Sequence, residues 1–320
     1  MMCLYVKVLA LVCVLVSLVS CERRFELEYE DMEDRLRVKC QPSTMWDNYT
    51  ILVTGVRSMG KPFKKYKHPD GLDVKLFVDG ELMEMSQWQS ETALGFNVKH
   101  TPMPGQKIRL EASAAGFVPV HAEVVVPDPV EDFEVSFEEL EDRYYGVTLK
   151  YADNRDTEDM YGVVVYLRRV KETLGGEFVE FVESEVCSGI ELPSYFPDAS
   201  DGILLDYANA GNIAIWRDTR ANDGGYQNYT FSVRRHEDYQ VSDTGLAVGN
   251  DGTHVVRTQY RVSVFKVSKE YYRYHFGVWS DHNNIMGAMG LASPTNTYTN
   301  IHGGLGVLGA ISHMHGEWRY

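Results

Sequence analysis

Two histidines near the end of the chain have a spacing that suits a metal ion. His313 and His315 are separated by one residue. In a β-strand both imidazoles lie on the same face, and imidazole is a common ligand of zinc and copper. A complete site needs further ligands, and the other histidines nearby are His275, His282 and His302. The pair is a weak metal candidate, and we expect no bound metal and no cofactor.

Acidic side chains are plentiful, but none forms a recognisable catalytic arrangement. The segment from Asp153 to Asp159 collects oxygen ligands, yet it lacks the glycine and the terminal bidentate glutamate of an EF-hand. We therefore expect a solvated hairpin loop there. No pair of carboxylates stands out as a glycosidase pair, and neither a G-x-S-x-G elbow nor an H-E-x-x-H zinc motif is present. We expect no catalytic residue and no enzymatic activity.

Three glycines near the end of the chain have the spacing of a phosphate-binding turn. Gly304, Gly306 and Gly309 spell G-x-G-x-x-G. A dinucleotide-binding turn requires a strand before it, a helix opening at the third glycine and an acidic residue about 20 positions further on. Too few residues follow Gly309 for such a unit. We instead expect a strand that closes the second domain, in which the glycines permit a bulge or a close backbone approach.

The composition indicates a folded, acidic protein. Of its 320 residues, 44% are hydrophobic and 24% are charged, which is typical of globular proteins with room for two domains. The formal net charge is −15. Nucleic-acid binding depends on Lys and Arg that neutralise phosphates, so the charge argues against a nucleic-acid partner.

The first residues predict export and lipid anchoring. Lys7 precedes an apolar run from Val8 to Val19, and a run of about 12 residues is typical of a secretory signal and too short to span a membrane. It ends in Leu18-Val19-Ser20-Cys21, which resembles the lipobox of bacterial lipoproteins. We predict a lipoprotein signal peptide over residues 1–20 and acylation, for example with palmitate, at Cys21. An ordinary signal peptide with an accidental cysteine is the alternative.

Two cysteines remain once the signal peptide and the lipidated residue are set aside. Cys40 and Cys187 are far apart in sequence and fall in different predicted domains. An oxidising compartment would allow them to form a disulfide. We favour two buried free thiols, and the disulfide remains the alternative.

Residues 21–127 predict an N-terminal β-sandwich of the immunoglobulin or transthyretin type. Apolar residues alternate with polar ones in short runs, as at Leu36 and Val38 or at Val74, Leu76 and Val78. Asp79-Gly80 separates two such runs and has the composition of a two-residue type I′ turn. A boundary follows at Val126-Pro127-Asp128-Pro129, because closely spaced prolines fit neither a helix interior nor a central strand.

Residues 128–320 predict a second β-rich domain, a sandwich or a barrel-like fold, so the whole chain is expected to be all-β with one helix. The run from Thr253 to Val267 alternates apolar and polar residues and predicts a half-buried strand. Ser268 is a suitable N-cap for a helix from about 269 to 284. Aromatic residues at helical spacing in that helix are expected to contact the core: Tyr272, Phe276 and Trp279.

Several segments of the chain together form a recognisable set. The most specific is the ending Asn300-Ile301-His302-Gly303-Gly304-Leu305-Gly306. The others are the lipobox, Asp153 with Met160-Tyr161-Gly162, Trp216-Arg217-Asp218 with Gly225-Tyr226, and the helix start Val267 to Tyr274. Together these segments resemble a Bacteroidota lipoprotein family, catalogued as domain of unknown function 4249.

The resemblance implies a role in the cell envelope. Such proteins resemble accessory lipoproteins found alongside TonB-dependent outer-membrane transporters, and the family carries over no catalytic residue. We thus expect a non-catalytic protein of the outer membrane, lipid-anchored on its periplasmic or its outer side, that binds a ligand or a transporter. Exposed aromatic residues would suit such binding, with Trp46, Trp88 and Tyr195 as candidates. The alternatives are a structural or adhesive surface lipoprotein and an extracellular hydrolase.

Overall fold

The computed structural model describes the chain in thirteen segments: residues 34–56, 69–90, 93–140, 144–154, 157–173, 178–186, 190–191, 202–207, 211–217, 225–234, 253–282, 284 and 298–319. Several residues named above lie outside these segments: the whole predicted signal peptide with the lipidation site Cys21, the second thiol Cys187, the aromatic candidate Tyr195 and Asp218 of the family resemblance.

The first half of the chain forms two facing sheets. Its strands are β1 (Arg35–Cys40), β2 (Tyr49–Val56), β3 (Asp73–Val78), β4 (Glu81–Leu82), β5 (Met85–Gln89), β6 (Leu94–Val98), β7 (Lys107–Ser113) and β8 (Val120–Val125). One sheet contains β1, β2, β6 and β5, and the other has the order β4-β3-β7-β8. We call this unit the first sandwich.

The predicted alternation builds the core of the first sandwich. Leu36, Ile51, Leu76 and Leu110 each point inward from a different strand and are fully buried. Burying such a side chain stabilises the fold by about 1.5–3 kcal/mol. The Asp79-Gly80 hairpin is confirmed, since both residues have a positive φ, 50° and 89°, as a type I′ turn requires.

The rest of the chain forms a second pair of sheets, except for the strand Leu305–Leu308, which joins the first sandwich. Its elements are β9 (Phe133–Glu139), β10 (Tyr144–Asp153), β11 (Met160–Thr173), β12 (Phe178–Val186), β13 (Ile190–Glu191), β14 (Gly202–Tyr207), β15 (Gly211–Arg217), β16 (Gly225–Arg234), β17 (Thr253–Val267), α1 (Lys269–His282), β18 (Leu305–Leu308) and β19 (Ile311–His315). One sheet has the order β13-β16-β10-β9. The other has the order β14-β15-β11-β17-β19, and β12 also pairs with β11. We call this unit the second sandwich.

These two sheets enclose a core that is rich in aromatic residues. Tyr161, Trp216 and Phe231 are buried there beside aliphatic side chains such as Val147 and Val262. The sheets are separate, so the sandwich alternative is the observed one for the second unit. The predicted all-β class with one helix near the end of the chain is confirmed in the described residues.

The closing strand differs from the expectation. β18 was expected to complete the second sandwich, but it pairs in parallel with β1 at the edge of the first sandwich, with Arg37 opposite Leu305 and Cys40 opposite Leu308. Only β19 joins the second sandwich, where it pairs antiparallel with β17. The end of the chain therefore crosses from one sandwich to the other within a few residues.

The helix α1 begins as predicted. Ser268 Oγ accepts a hydrogen bond from the backbone N–H of Tyr271 at 3.3 Å, which is the geometry of an N-cap. The same oxygen accepts the N–H of Ala310 at 3.2 Å and so ties the helix start to the end of the chain. The predicted aromatic stripe contacts the core, because Tyr272 is buried and packs with Phe276 and Trp279. In the described residues, no helix is long and apolar enough to cross a membrane.

The prediction that β17 is half-buried is wrong for its C-terminal half. Tyr260, Val262 and Val264 face the core between the two sheets. On the opposite face Gln259 and Ser263 are buried as well. That face is covered by α1 and by residues 298–319, which we call the C-terminal segment. Local alternation does not encode this tertiary contact.

Candidate functional site

The glycine motif is a close contact between backbones. Gly306 has φ +103°, and a Cβ there would lie 1.9 Å from the carbonyl oxygen of Val38. A Cβ on Gly304 would lie 2.6 Å from the carbonyl oxygen of Leu36. The glycines thus allow β18 to lie against β1, and the expected close approach is confirmed although its sheet is different. The described residues place no helix after Gly309, which is followed by β19.

Asn300 holds this ending in place. Its Nδ2 donates to the carbonyl of Leu308 at 2.8 Å, and its Oδ1 accepts the N–H of the same residue at 3.0 Å. His302 stacks on His121 with ring centroids 4.8 Å apart, while the two residues exchange backbone hydrogen bonds. The most specific segment of the family resemblance therefore has an architectural role in this chain.

The histidine pair lies on β19, as the metal hypothesis requires, with ring centroids 6.1 Å apart. Burial, with the neighbouring His315, lowers the pKa of His313 to about 3. Burial and the charge of Arg261 lower the pKa of His315. His275 and His302 lie elsewhere, and in the described residues no three His, Cys, Asp or Glu side chains form a group suited to a metal. A cationic guanidinium beside the pair also disfavours a metal ion.

Two carboxylates of the Asp153–Asp159 segment are not solvated, whereas Glu158 is exposed as expected. Tyr161 donates its hydroxyl proton to Asp153 Oδ1 at 2.6 Å, and Asp153 is buried. Lys266 Nζ lies 2.7 Å from Asp159 Oδ2. Burial and the Asp153 hydrogen bond raise the pKa of Tyr161. The expectation of solvation is wrong for these two carboxylates, since a phenol and an ammonium bind them inside the fold.

Of the aromatic candidates, Trp46 and Trp88 are exposed. Trp46 lies on the loop between β1 and β2 with 54% of its surface accessible. Trp88 lies on β5 with 39% of its surface accessible.

Cys40 is a buried free thiol, and burial raises its pKa far above the ordinary value.

Trp88 packs on the outer face of the first sandwich in a way that only glycine permits. A Cβ on Gly95, its cross-strand neighbour, would lie 2.1 Å from an indole carbon. Trp88 Nε1 donates to Asn97 Oδ1 at 3.1 Å, and Thr50 Oγ1 donates to the same oxygen at 2.8 Å. These two bonds fix the amide of Asn97 and leave its Nδ2 protons for another acceptor.

This region forms an uncharged surface, which we call the Trp88 surface and which consists of Thr50, Leu52, Ser86, Trp88 and Asn97. They lie on β2, β5 and β6, and in the described sheet β5 is an edge strand. The strand Met85–Gln89 has no charged residue, although the chain is 24% charged. The sequence signals that point to it are Trp88 itself and the neutral run around it.

A second cluster, of arginine and aromatic side chains, was not predicted from the sequence. On the outer face of the second sandwich, Arg168 and Arg261 both lie over the ring of Trp318, with Cζ to centroid distances of 4.5 and 4.7 Å. The Arg261 Cζ also lies 5.4 Å from the ring centroid of Tyr166. The cluster joins residues from β11, from β17 and from beyond β19, so no local sequence motif predicts it.

A family model matches most of the chain. A family model described as Domain of unknown function (DUF4249) matches residues 22–316. A comparison with curated proteins finds no match.

Solved structures show only a remote likeness. The collagen adhesin CNA from S. aureus is 6% identical, with 90% of this chain and 95% of that chain covered and a TM-score of 0.21. The collagen binding domain of the Erysipelothrix rhusiopathiae surface protein RspB is 8% identical, with 90% and 98% covered and a TM-score of 0.23. The Yersinia pseudotuberculosis adhesin InvE is 12% identical, with 72% and 54% covered and a TM-score of 0.19. At such TM-scores the likeness supports neither a fold assignment nor a function.

Proposed function

This chain belongs to the DUF4249 family, and from that premise we propose that it is a non-catalytic lipoprotein of the Bacteroidota outer membrane that assists a TonB-dependent transporter. The observation that carries the proposal is the apolar run Val8 to Val19 ending in Leu18-Val19-Ser20-Cys21. Several acyl chains on Cys21 would give a stable anchor, whereas a single chain gives only marginal membrane binding.

The Trp88 surface is the proposed contact with the transporter. The cores of protein interfaces are enriched in tryptophan and depleted in charged side chains, which is the composition of this surface. Asn97 adds two N–H donors whose orientation is set by Trp88 and Thr50. A partner that covers the indole and accepts from Asn97 therefore fits both properties.

The anchor is tested by Cys21→Ala in the full chain expressed in a bacterium that processes lipoproteins. We expect the variant to leave the membrane fraction, because it lacks the acylated thiol. Cys13→Ala is the matched control, since that cysteine lies within the same apolar run and is removed with the predicted signal peptide. If Cys21→Ala stays in the membrane fraction after detergent-free washing, the anchor proposal fails.

The partner is tested by purifying the full chain in a mild detergent from its own membranes. We expect an outer-membrane transporter to co-purify, and Trp88→Ala to weaken the association. Trp46→Ala is the matched control, because Trp46 is also an exposed tryptophan of the first sandwich but lies outside the Trp88 surface. A monodisperse protein without a partner counts against the transporter role. Equal capture by wild type and Trp88→Ala would place the contact elsewhere and leave the role intact.

A further inference from the structure

The outer face of the second sandwich carries two positive charges around one aromatic ring. We call Tyr166, Arg168, Arg261 and Trp318 the arginine–tryptophan cluster. Both guanidinium groups lie within 5 Å of the ring centroid of Trp318, at 4.5 Å for Arg168 and 4.7 Å for Arg261. A cation over an aromatic face is attracted by the ring quadrupole, but two cations at the same ring repel each other.

The fold holds the cluster in one arrangement. Tyr166 on β11 lies directly opposite Arg261 on β17, so the two side chains emerge side by side on the same face. Arg168 is oriented by Gln259, whose Oε1 accepts its Nε–H at 2.6 Å. Trp318 is brought over them because the next residue, Arg319, exchanges two backbone hydrogen bonds with Tyr260 on β17, at 2.7 and 2.8 Å.

Arg261 has no anionic partner among the described residues. In the part of the chain that the structure describes it has no ion pair, and its Nε is buried without a hydrogen-bond acceptor. Burial and the neighbouring charge of Arg168 lower its pKa. A buried donor without an acceptor costs free energy, more so when it is charged. The chain has 46 carboxylate side chains, yet none described pairs with this one.

A second arginine of this protein lies over an aromatic ring and also has a carboxylate partner. Arg109 also stacks on an aromatic ring, that of Phe77, at 4.3 Å. Its Nη1, however, lies 3.2 Å from a carboxylate oxygen of Glu111. A stacked arginine in this protein is therefore compatible with a carboxylate partner. Arg261 is stacked in the same way without one.

We propose that the arginine–tryptophan cluster is a binding site for an oxyanion group, a carboxylate, phosphate or sulfate carried by a small ligand. Arg261 supplies the unpaired donors and Arg168 a second positive charge, and guanidinium groups match the geometry of such anions. The guanidinium of Arg261 lies close to two rings, 4.7 Å from the centroid of Trp318 and 5.4 Å from that of Tyr166. The site lies on the second sandwich, so it depends on neither the lipid anchor nor the Trp88 surface.

The test is a titration of the full chain, in mild detergent, with inorganic phosphate, sulfate and acetate in separate arms. Ionic strength is kept constant with chloride, and binding is measured by calorimetry. We expect at least one arm to saturate, and Arg261→Gln to weaken that affinity about tenfold or more, since hydrogen bonds to charged groups contribute about 1.5–3 kcal/mol. The arm that saturates at the lowest concentration identifies the kind of oxyanion.

Arg109→Gln is the matched control and should bind as wild type does. Arg261→Lys keeps the charge with a smaller donor set, so we expect intermediate affinity and a normal fold; it replaces Arg261→Gln if that variant does not fold. The bound anion should also raise the midpoint of thermal unfolding of wild type more than that of the Arg261 variant. The proposal is overturned if no arm saturates, if the Arg261 variant binds as wild type does, or if Arg109→Gln loses binding equally.

Discussion

At Gly306 the backbone of the C-terminal segment lies in close contact with the first sandwich. Its backbone has φ +103°, a region that side chains rarely adopt, and Val38 occupies the space where a Cβ would lie. The positive φ and the lack of space for a Cβ therefore both restrict this one position. The parallel pairing of β18 with β1 depends on them, because a displaced Gly306 cannot remain opposite Val38.

We expect Gly306→Ala to destabilise the protein by more than strain alone explains. A non-glycine residue in such a conformation costs about 1–3 kcal/mol, and the contact with the Val38 carbonyl adds to that cost. Gly105→Ala is the matched control, because Gly105 has φ +80° but nothing lies within 4 Å of its would-be Cβ. Urea unfolding followed by circular dichroism measures both. An equal loss of stability in the two variants would show that the close contact contributes nothing.

At the scale of elements, α1 packs on both sandwiches. Its aromatic stripe covers the outer face of the second sandwich. Its other side reaches the first sandwich, where Tyr274 accepts a hydrogen bond from Arg37 Nη2 at 3.2 Å. His275 lies 2.6 Å from the side-chain nitrogen of Gln41. Since Gln41 donates there, the ring nitrogen of His275 has to be the acceptor, and the imidazole is neutral.

This neutral histidine predicts a pH dependence of stability. Burial and the charge of Lys39 lower the pKa of His275 to about 3, against about 6.5 in an unfolded chain. Between these values the unfolded state binds a proton that the folded state does not, so the free energy of unfolding falls as the pH decreases below 6.5. We expect His275 to account for a loss of about 2 kcal/mol by pH 5, and His313, whose pKa is also lowered to about 3, to add to that loss. The His275 part should disappear in His275→Gln while the His313 part remains, measured by urea unfolding across the pH range; an unchanged pH dependence in that variant would contradict the assignment.

The sequence predicts where the strands and the helix lie far better than it predicts which of them pair or pack together. Alternation at Leu36 and Val38 and the cap at Ser268 are local signals, and both are confirmed. The parallel pairing of β1 with β18 joins residues at opposite ends of the chain, and no short-range pattern specifies it. The same holds for Arg261 and Trp318, which meet only because the end of the chain pairs with β17. Trp88, in contrast, was predicted from the sequence to be an exposed aromatic residue, and it is exposed.

At the scale of the whole molecule, the C-terminal segment connects the two sandwiches. β18 belongs to the first and β19 to the second. Between them, Gly309 donates its N–H to the carbonyl of Cys40 and Ile311 donates to that of Pro42, both at 3.0 Å. The linker between the two cores is also short, since Val126 belongs to the first core and Val130 to the second. Neither sandwich can open fully without disturbing these shared contacts.

We therefore expect the two sandwiches to unfold as one cooperative unit. Leu76 and Leu149 are fully buried leucines in the first and second core, respectively, and each change to alanine should cost about 2–5 kcal/mol. In a cooperative molecule either substitution lowers the free energy of the same global opening. Hydrogen exchange measured by mass spectrometry should then show the slowest amides of β1 and β11 accelerating together, by about thirtyfold or more, in both variants. If Leu76→Ala accelerates only β1 and Leu149→Ala only β11, the sandwiches open independently, and the C-terminal segment joins them without coupling their stability.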